Sequence, residues 1–393
     1  MRSPAVLAGA LLAGLSLTAQ TEPTRAPAAA TPHVLIDTVG PDGWRSRFGP
    51  TNLGSMLESE QGRELWEPAL APYFAIWQEL AGDDAGYSAS RTRLLGYGGR
   101  IRMGLWFDSD RMRRASEPAA GIAVVLDGDG RADLDAIAAD LRSMLYESVA
   151  GDWQTLDLDG EKLEVRVGSE MHVAAPIRTG DRLLLAASSE GDLGLALGRA
   201  RALAAAATPE LRPDSPAMRV QIDFAALLTA AIASEPERDR QLMRALGLDS
   251  VGTGTLTITT AGPRVQVEYA QQFTKAERGI FAALLPATST IPSLLLAAGE
   301  GSWTAGHFDC HQLYETVMNA LAASDPDADP RAEVREKAGL DPATDLFAHM
   351  TDEVLFWLPE DEDFGEELTR TPWTATFRLR DEEAFEQGLF ALL

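Results

Sequence analysis

Cysteine is almost absent from this chain, with Cys310 the only one in 393 residues. No intrachain disulfide can form, so the fold has to be held together by its core. Lysine is nearly as scarce, occurring only at Lys162, Lys275 and Lys337, and no Lys/Arg-rich block stands against the formal net charge of −25. That balance argues against nucleic acid as a partner, because phosphate neutralisation needs clustered cations. It disfavours anionic membrane surfaces for the same reason. The common catalytic signatures are missing too: there is no G-x-S-x-G elbow, no H-E-x-x-H, no P-loop, no G-x-G-x-x-G and no S-x-x-K. Carboxylates are so numerous that no pair can be singled out for acid/base work. The longest leading apolar run, Ala5 to Ala19, is short for a membrane span.

That run carries its own meaning. Arg2 precedes it and polar Gln20-Thr21-Glu22 follow it, the layout of an export signal over residues 1–20. Leu17 stands where a small residue is preferred before Ala19, so an uncleaved N-terminal anchor stays open as an alternative. Residues 21–32, TEPTRAPAAATP, form a Pro/Ala-rich tether. The expectation is a periplasmic or extracellular protein. The remainder, in a chain that is 45% hydrophobic, is long enough to bury a sizeable core in two or three domains or two repeated halves.

Periodicity then divides the mature chain. HVLIDTV from His33 reads as a first strand, and a mixed helical face follows over about residues 62–80. RLLGYGG and RIRMGLWFD read as strands, GIAVVLD as a further strand, and the residues from Leu134 as an amphipathic helix. WQTLDLD, KLEVRVG, MHVAAPI and RLLLAAS form an antiparallel group joined by Asp-Gly and Gly-Asp turns. A helix over about 190–206 closes a first half, 33–206. The Pro-rich stretch 207–216 is the expected linker to a second half, 217–393. There, MRVQIDFAALLTAAI is a strand entering a helix, GTLTITT and RVQVEYAQQF are strands, and a helix starts at Cys310. Two further strands, DEVLFWLP and WTATFRLR, precede a last helix. The class is α+β.

One junction recurs. Asp309 precedes apolar residues Cys310, Leu313, Tyr314, Val317 and Met318, and Asp223, Asp381, Asp133 and Asp192 open helices in a related way. An aspartate accepts hydrogen bonds from the free amides of the first helical turn and suits the positive end of the helix dipole. A longer self-similarity runs from Glu79 through GIAVVLDGDGRADLDAIAADL and again from Glu336 through TATFRLRDEEAFEQGLFALL. It reads as a duplication of a strand-helix-sheet unit. The second copy has no counterpart of the strands and helix at 150–206, so a C-terminal truncation, or an incomplete second half, is expected with it.

The stretch WTAGHFDCHQLYETVMNAL (303–321) holds the one cluster of metal-capable or nucleophilic side chains: His307, Asp309, Cys310, His311 and Glu315. On a strand His307 and Asp309 share a face, and on a helix His311 and Glu315 are four apart, so His307, Asp309 and His311 are the candidate metal ligands. The competing reading is architectural: Asp309 caps, Cys310 packs in the core, and His311 and Glu315 face solvent. The run Asp127-Gly-Asp129-Gly-Arg-Ala-Asp133 resembles a calcium loop, but Val125 and Ala136 occupy both end-ligand positions. EDEDFGEE (360–367) reads as a solvated acidic loop, and the eight tryptophans as core anchors.

The chain resembles an uncharacterised family of large exported bacterial proteins, a domain of unknown function. The resemblance is carried by the export signal, T-x-L-G-x-M-L at Thr51 to Leu57, Ile222-Asp223, Leu246-Gly247-Leu248-Asp249-Ser250-Val251, and Glu336-Lys-Ala-Gly-Leu-Asp341 with Asp345 and Asp352 beyond it. It implies an exported α+β protein and brings no catalytic residues. The expected function is a non-enzymatic binding or structural component of the cell envelope, without cofactor. The alternatives are a secreted hydrolase, metal-assisted through the His307/Asp309/His311 region, and an inhibitor or chaperone of exported proteins, which an uncovered sheet edge would favour.

Overall fold

The computed structural model describes residues 31–60, 84–107, 120–128, 130, 133–148, 151–158, 161–168, 171–189, 193–206, 212, 215–283, 301–325, 327–359 and 374–392. The helix expected over 62–80, the acidic loop 360–367, and Asp129 and Asp192 lie outside them. Two compact units share the chain: residues 1–234 with 252–272, and residues 235–251 with 273–393.

The first unit is built on one sheet of eleven strands. β1 (Val34–Val39), β2 (Arg100–Phe107), β3 (Ala120–Asp127), β4 (Trp153–Leu158), β5 (Glu161–Val167), β6 (His172–Ala174), β7 (Ile177–Thr179), β8 (Arg182–Ser188), β9 (Met218–Asp223), β10 (Val251–Ala261) and β11 (Arg264–Phe273) contribute. Their order is β11-β10-β9-β1-β2-β3-β8-β6-β5-β4, with β7 alongside β8, and the paired strands run antiparallel. MHVAAPI thus supplies β6 and only the first residue of β7.

Alternation along the central strands explains how the sheet is covered, since successive side chains leave opposite faces. Ala123 and Val125 of β3 with Leu184 and Ala186 of β8 form one buried cluster with Trp106 and with Leu193, Ala196, Leu197 and Ala200 of α5 (Leu193–Ala205). The intervening Val124 and Leu126 with Leu183 and Leu185 pack on the other face, against Leu134, Ile137 and Leu141 of α4 (Leu134–Ser148). Strands buried on both sides read as near-continuous apolar runs, which is why GIAVVLD and RLLLAAS lack polar alternation.

RLLGYGG departs from its expected strand. Arg93, Leu94 and Leu95 end a helix, α3 (Asp84–Leu95), behind α1 (Pro41–Phe48) and α2 (Asn52–Glu58) in the chain. Arg93 bonds both oxygens of Asp140 on α4 at 2.6 and 2.5 Å, and Tyr97 is buried with its hydroxyl 2.6 Å from the Asp127 carbonyl. A helix-to-helix ion pair and a buried tyrosine outweigh a short apolar run whose periodicity is ambiguous.

The segment around 207–216 does not separate sheets. β9, which follows it, pairs with β1 over Val34–Ile222 to Thr38–Met218, and β10 and β11 extend the same sheet. The expected halves, 33–206 and 217–393, therefore differ from the compact units, because proline marks a loop without saying which edge the next strand joins.

The second unit centres on a three-stranded antiparallel sheet, β12 (Gly301–His307), β13 (Met350–Pro359) and β14 (Thr374–Leu379), in that order. Around it are α7 (Glu237–Ala245), α8 (Cys310–Ser324), α9 (Pro330–Ala338), α10 (Pro342–Asp345) and α11 (Glu382–Leu392); α6 (Phe224–Ser234) belongs to the first unit. The expected aspartate caps are present: Asp133, Asp223, Asp309 and Asp381 each accept from the amide three residues on, at 3.0, 3.1, 2.9 and 3.1 Å. No helix among the described residues is long and apolar enough to cross a membrane.

Candidate functional site

The cluster at the end of β12 is spread over three structural tasks. His307 closes the strand, opposite Glu353 of β13. Its Nδ1 lies 2.9 Å from Oδ2 of Asp352, and the Phe308 amide donates to the Asp352 carbonyl at 2.6 Å. Asp309 is the N-cap of α8: its carboxylate takes the Gln312 amide at 2.9 Å, while its own amide donates to the Ala283 carbonyl. His311, one residue into the helix, is exposed. The three candidate ligands thus leave the joint in different roles, and among the described residues no group of three or more His, Cys, Asp and Glu could hold a metal ion.

Cys310 is half-buried rather than in the core. Burial and then the neighbouring Asp309 charge raise its thiol above the ordinary cysteine range. Nucleophilic chemistry needs thiolate, and both causes act against forming it. Glu315 is not left to solvent: Arg331 reaches it from α9 at 2.6 Å and also bonds Asn319 at 2.8 Å.

Asp352 is the residue that sequence reasoning missed. It lies 45 positions from His307, and only the pairing of β12 with β13 brings the two together. A carboxylate beside a histidine ring nitrogen fixes the tautomer and orientation of the ring.

The calcium-like loop also resolves into architecture. Asp127 stands between Arg102, at 3.0 Å, and Arg182, at 2.9 Å. Those guanidiniums in turn donate to carbonyls at the C-terminal end of α5, Arg102 to Leu203 at 2.7 Å and Arg182 to Ala204. The cations suit the negative end of the helix dipole, and the aspartate suits the cations. Asp133 caps α4, and Val125 is fully buried. Of the tryptophans, Trp106 is 2% exposed under the Arg199 guanidinium, and Trp44 stacks on Phe48 and donates to Thr38.

The motifs that carry the family resemblance have local explanations as well. Thr51 accepts the Gly54 amide at 3.0 Å as the cap of α2, and a Cβ on Gly54 would stand 1.9 Å from the Phe48 carbonyl oxygen. Gly247 has φ +80° and meets the backbone of Gly279, where a Cβ would stand 2.6 Å from its Cα. Asp341 caps α10 at 3.1 Å and is held by Arg335. These are joints that many α+β chains need, and they carry no chemistry specific to one family. Compared with known proteins, the chain matches no family model, no curated protein and no solved structure.

Proposed function

We propose that the protein is exported and serves as a non-enzymatic binding or structural component of the cell envelope. The observation that carries this reading is the use made of Asp309. Its carboxylate is bound to the first turn of α8, so the central candidate ligand of the only reactive cluster is committed to holding a helix. The leading Arg2 and apolar run to Ala19 supply the route out of the cytoplasm. The lack of a cationic block directs attention to protein rather than nucleic-acid partners.

Duplication belongs to the same proposal. β1, helices, β2, β3 and α4 follow one another in the first unit as β12, helices, β13, β14 and α11 do in the second, with the same neighbour order in each sheet. Asp133 and Asp381 cap the final helix of each series.

One observation favours the metal-assisted hydrolase: the His307–Asp352 pair has the form by which carboxylates orient metal-binding histidines. Zinc titration of the purified protein, followed calorimetrically and by metal analysis after dialysis, separates the readings. The binding-component reading expects no stoichiometric zinc. Stoichiometric zinc lost on His307→Ala and on His311→Ala would replace it with the hydrolase. Cell fractionation tests export directly, with the full chain expected outside the cytoplasm and a variant lacking residues 2–20 retained inside.

A further inference from the structure

Among the described residues the path of the eleven-stranded sheet ends at β4 and at β11, and the two ends are finished differently. On β4, Trp153 and Leu156 are half-buried, with the Arg142 guanidinium over the Trp153 ring and Leu156 against the main core cluster. On β11, Val267 and Tyr269 are 61% and 57% exposed. The other exposed large apolar side chains among the described residues of the first unit, Leu53, Met56 and Leu57, lie on α2. The Asn52 amide donates to the Pro263 carbonyl at 2.9 Å, which ties that helix to the turn opening β11. Among the described residues of the unit, the exposed large apolar side chains are thus gathered at β11 and the helix tied to its turn. β11 itself is ten residues long with no proline and no lysine, and Arg264 and Glu268 are its only charged side chains.

The sequence of β11 is complementary to itself. The two-residue turn Gly262-Pro263, with φ +59° at Gly262, sets Ala261 opposite Arg264. The backbone groups of Val265 and Val267 therefore point away from β10, available to a further strand. If two copies of β11 meet antiparallel about a two-fold axis at Gln266, Val265 of each faces Val267 of the other in hydrogen-bonded pairs. Arg264 then faces Glu268 twice. Moving the axis to Glu268 sets that carboxylate against itself, and moving it to Val267 leaves Arg264 facing Ala270. Among the described residues neither Arg264 nor Glu268 is engaged in an ion pair within the chain, and both are exposed.

We propose that β11 is a self-association edge, through which a second copy of this chain pairs antiparallel with the two-fold axis at Gln266. The occupant is another copy because the charge pattern closes on itself in that register only. This assigns the partner of the binding surface without depending on whether the protein also binds envelope components. The net charge of −25 repels a second copy at long range, so association strengthens as added salt screens that repulsion.

Sedimentation equilibrium of the purified full chain is expected to show a reversible dimer. Arg264→Glu and Glu268→Arg each replace two attractive cross-strand pairs by repulsive ones and weaken the dimer about tenfold. The combined Arg264→Glu/Glu268→Arg chain restores the dissociation constant to near its original value, because the reversed charges again face each other. With Cys310→Ser as background, Gln266→Cys forms an intermolecular disulfide under mild oxidation, since facing non-hydrogen-bonded residues lie about 4.5 Å apart at Cα. Ala270→Cys does not. Circular dichroism and thermal melts of every variant check that folding is retained. A chain that stays monomeric at every concentration and salt, a double reversal that fails to recover, or crosslinking at residue 270 in preference to 266 overturns the proposal. Failure here leaves the zinc and fractionation outcomes unaffected.

Discussion

Asp127 in the first unit and Asp309 in the second both stand at the end of an apolar strand with a helix ahead in the chain, and their carboxylates do different work. Asp127 is 13% exposed and sits between two guanidiniums, one of them, Arg102, 5% exposed. Asp309 stands at a helix end and accepts one backbone amide. The first is a charge whose environment has been built around it, so removing it strands a buried cation. The second contributes one hydrogen bond to a terminus that water can also reach. The same residue type in a similar local pattern therefore differs severalfold in energetic weight, and what it is buried with decides the difference.

The largest expected effect tests this directly. Asp127→Ala should lower stability by about 3–5 kcal/mol, the cost of breaking a buried ion pair from one side, read from urea unfolding of the full chain. A loss as small as that of a cap would mean that Arg102 and Arg182 find other partners. Asp309→Ala should cost about 1 kcal/mol as a lost N-cap, with Asp309→Asn largely restoring it, and a much larger loss would show that the β12–α8 joint holds more than the helix end.

Acidification acts on the first unit by a different route. Burial lowers the pKa of both His33 and His172, and His33 Nδ1 accepts the Phe107 amide at 2.9 Å, a bond that requires the neutral ring. The folded state binds these protons less readily than the unfolded state, so stability is full above about pH 6.5 and declines as pH falls from there through the lowered folded-state values. Urea midpoints measured across that window should fall on the acid side, and His33→Gln should reduce the slope. The smallest effect is expected at His311, whose exposed side chain makes His311→Ala neutral to within about 0.5 kcal/mol. A clear loss there would move the histidine out of the solvent-facing class and strengthen the metal reading.

How much of this was legible in the sequence follows from distance along the chain. Strands β3, β5 and β8, helices α4, α5 and α8, and the four bonded aspartate caps fell where periodicity and capping chemistry put them, because each depends on residues a few positions apart. RLLGYGG failed because Arg93 answers to Asp140 and Tyr97 to Asp127, partners on other elements. The candidate site was legible as residues and illegible as geometry: Asp309 as a cap could be read, whereas the bond from His307 to Asp352 depends on the register of two strands. The sequence by itself determined the α+β class, the starts of α4, α5 and α8, the impossibility of an intrachain disulfide and the acidic charge balance. Only tertiary structure decided that β9, β10 and β11 join the sheet of β1, that Asp127 lies between two arginines, and that β11 rather than β4 is the apolar edge. Those outcomes are set by pairings across long loops, where closure entropy and burial compete over the whole unit and no short window of sequence contains the answer.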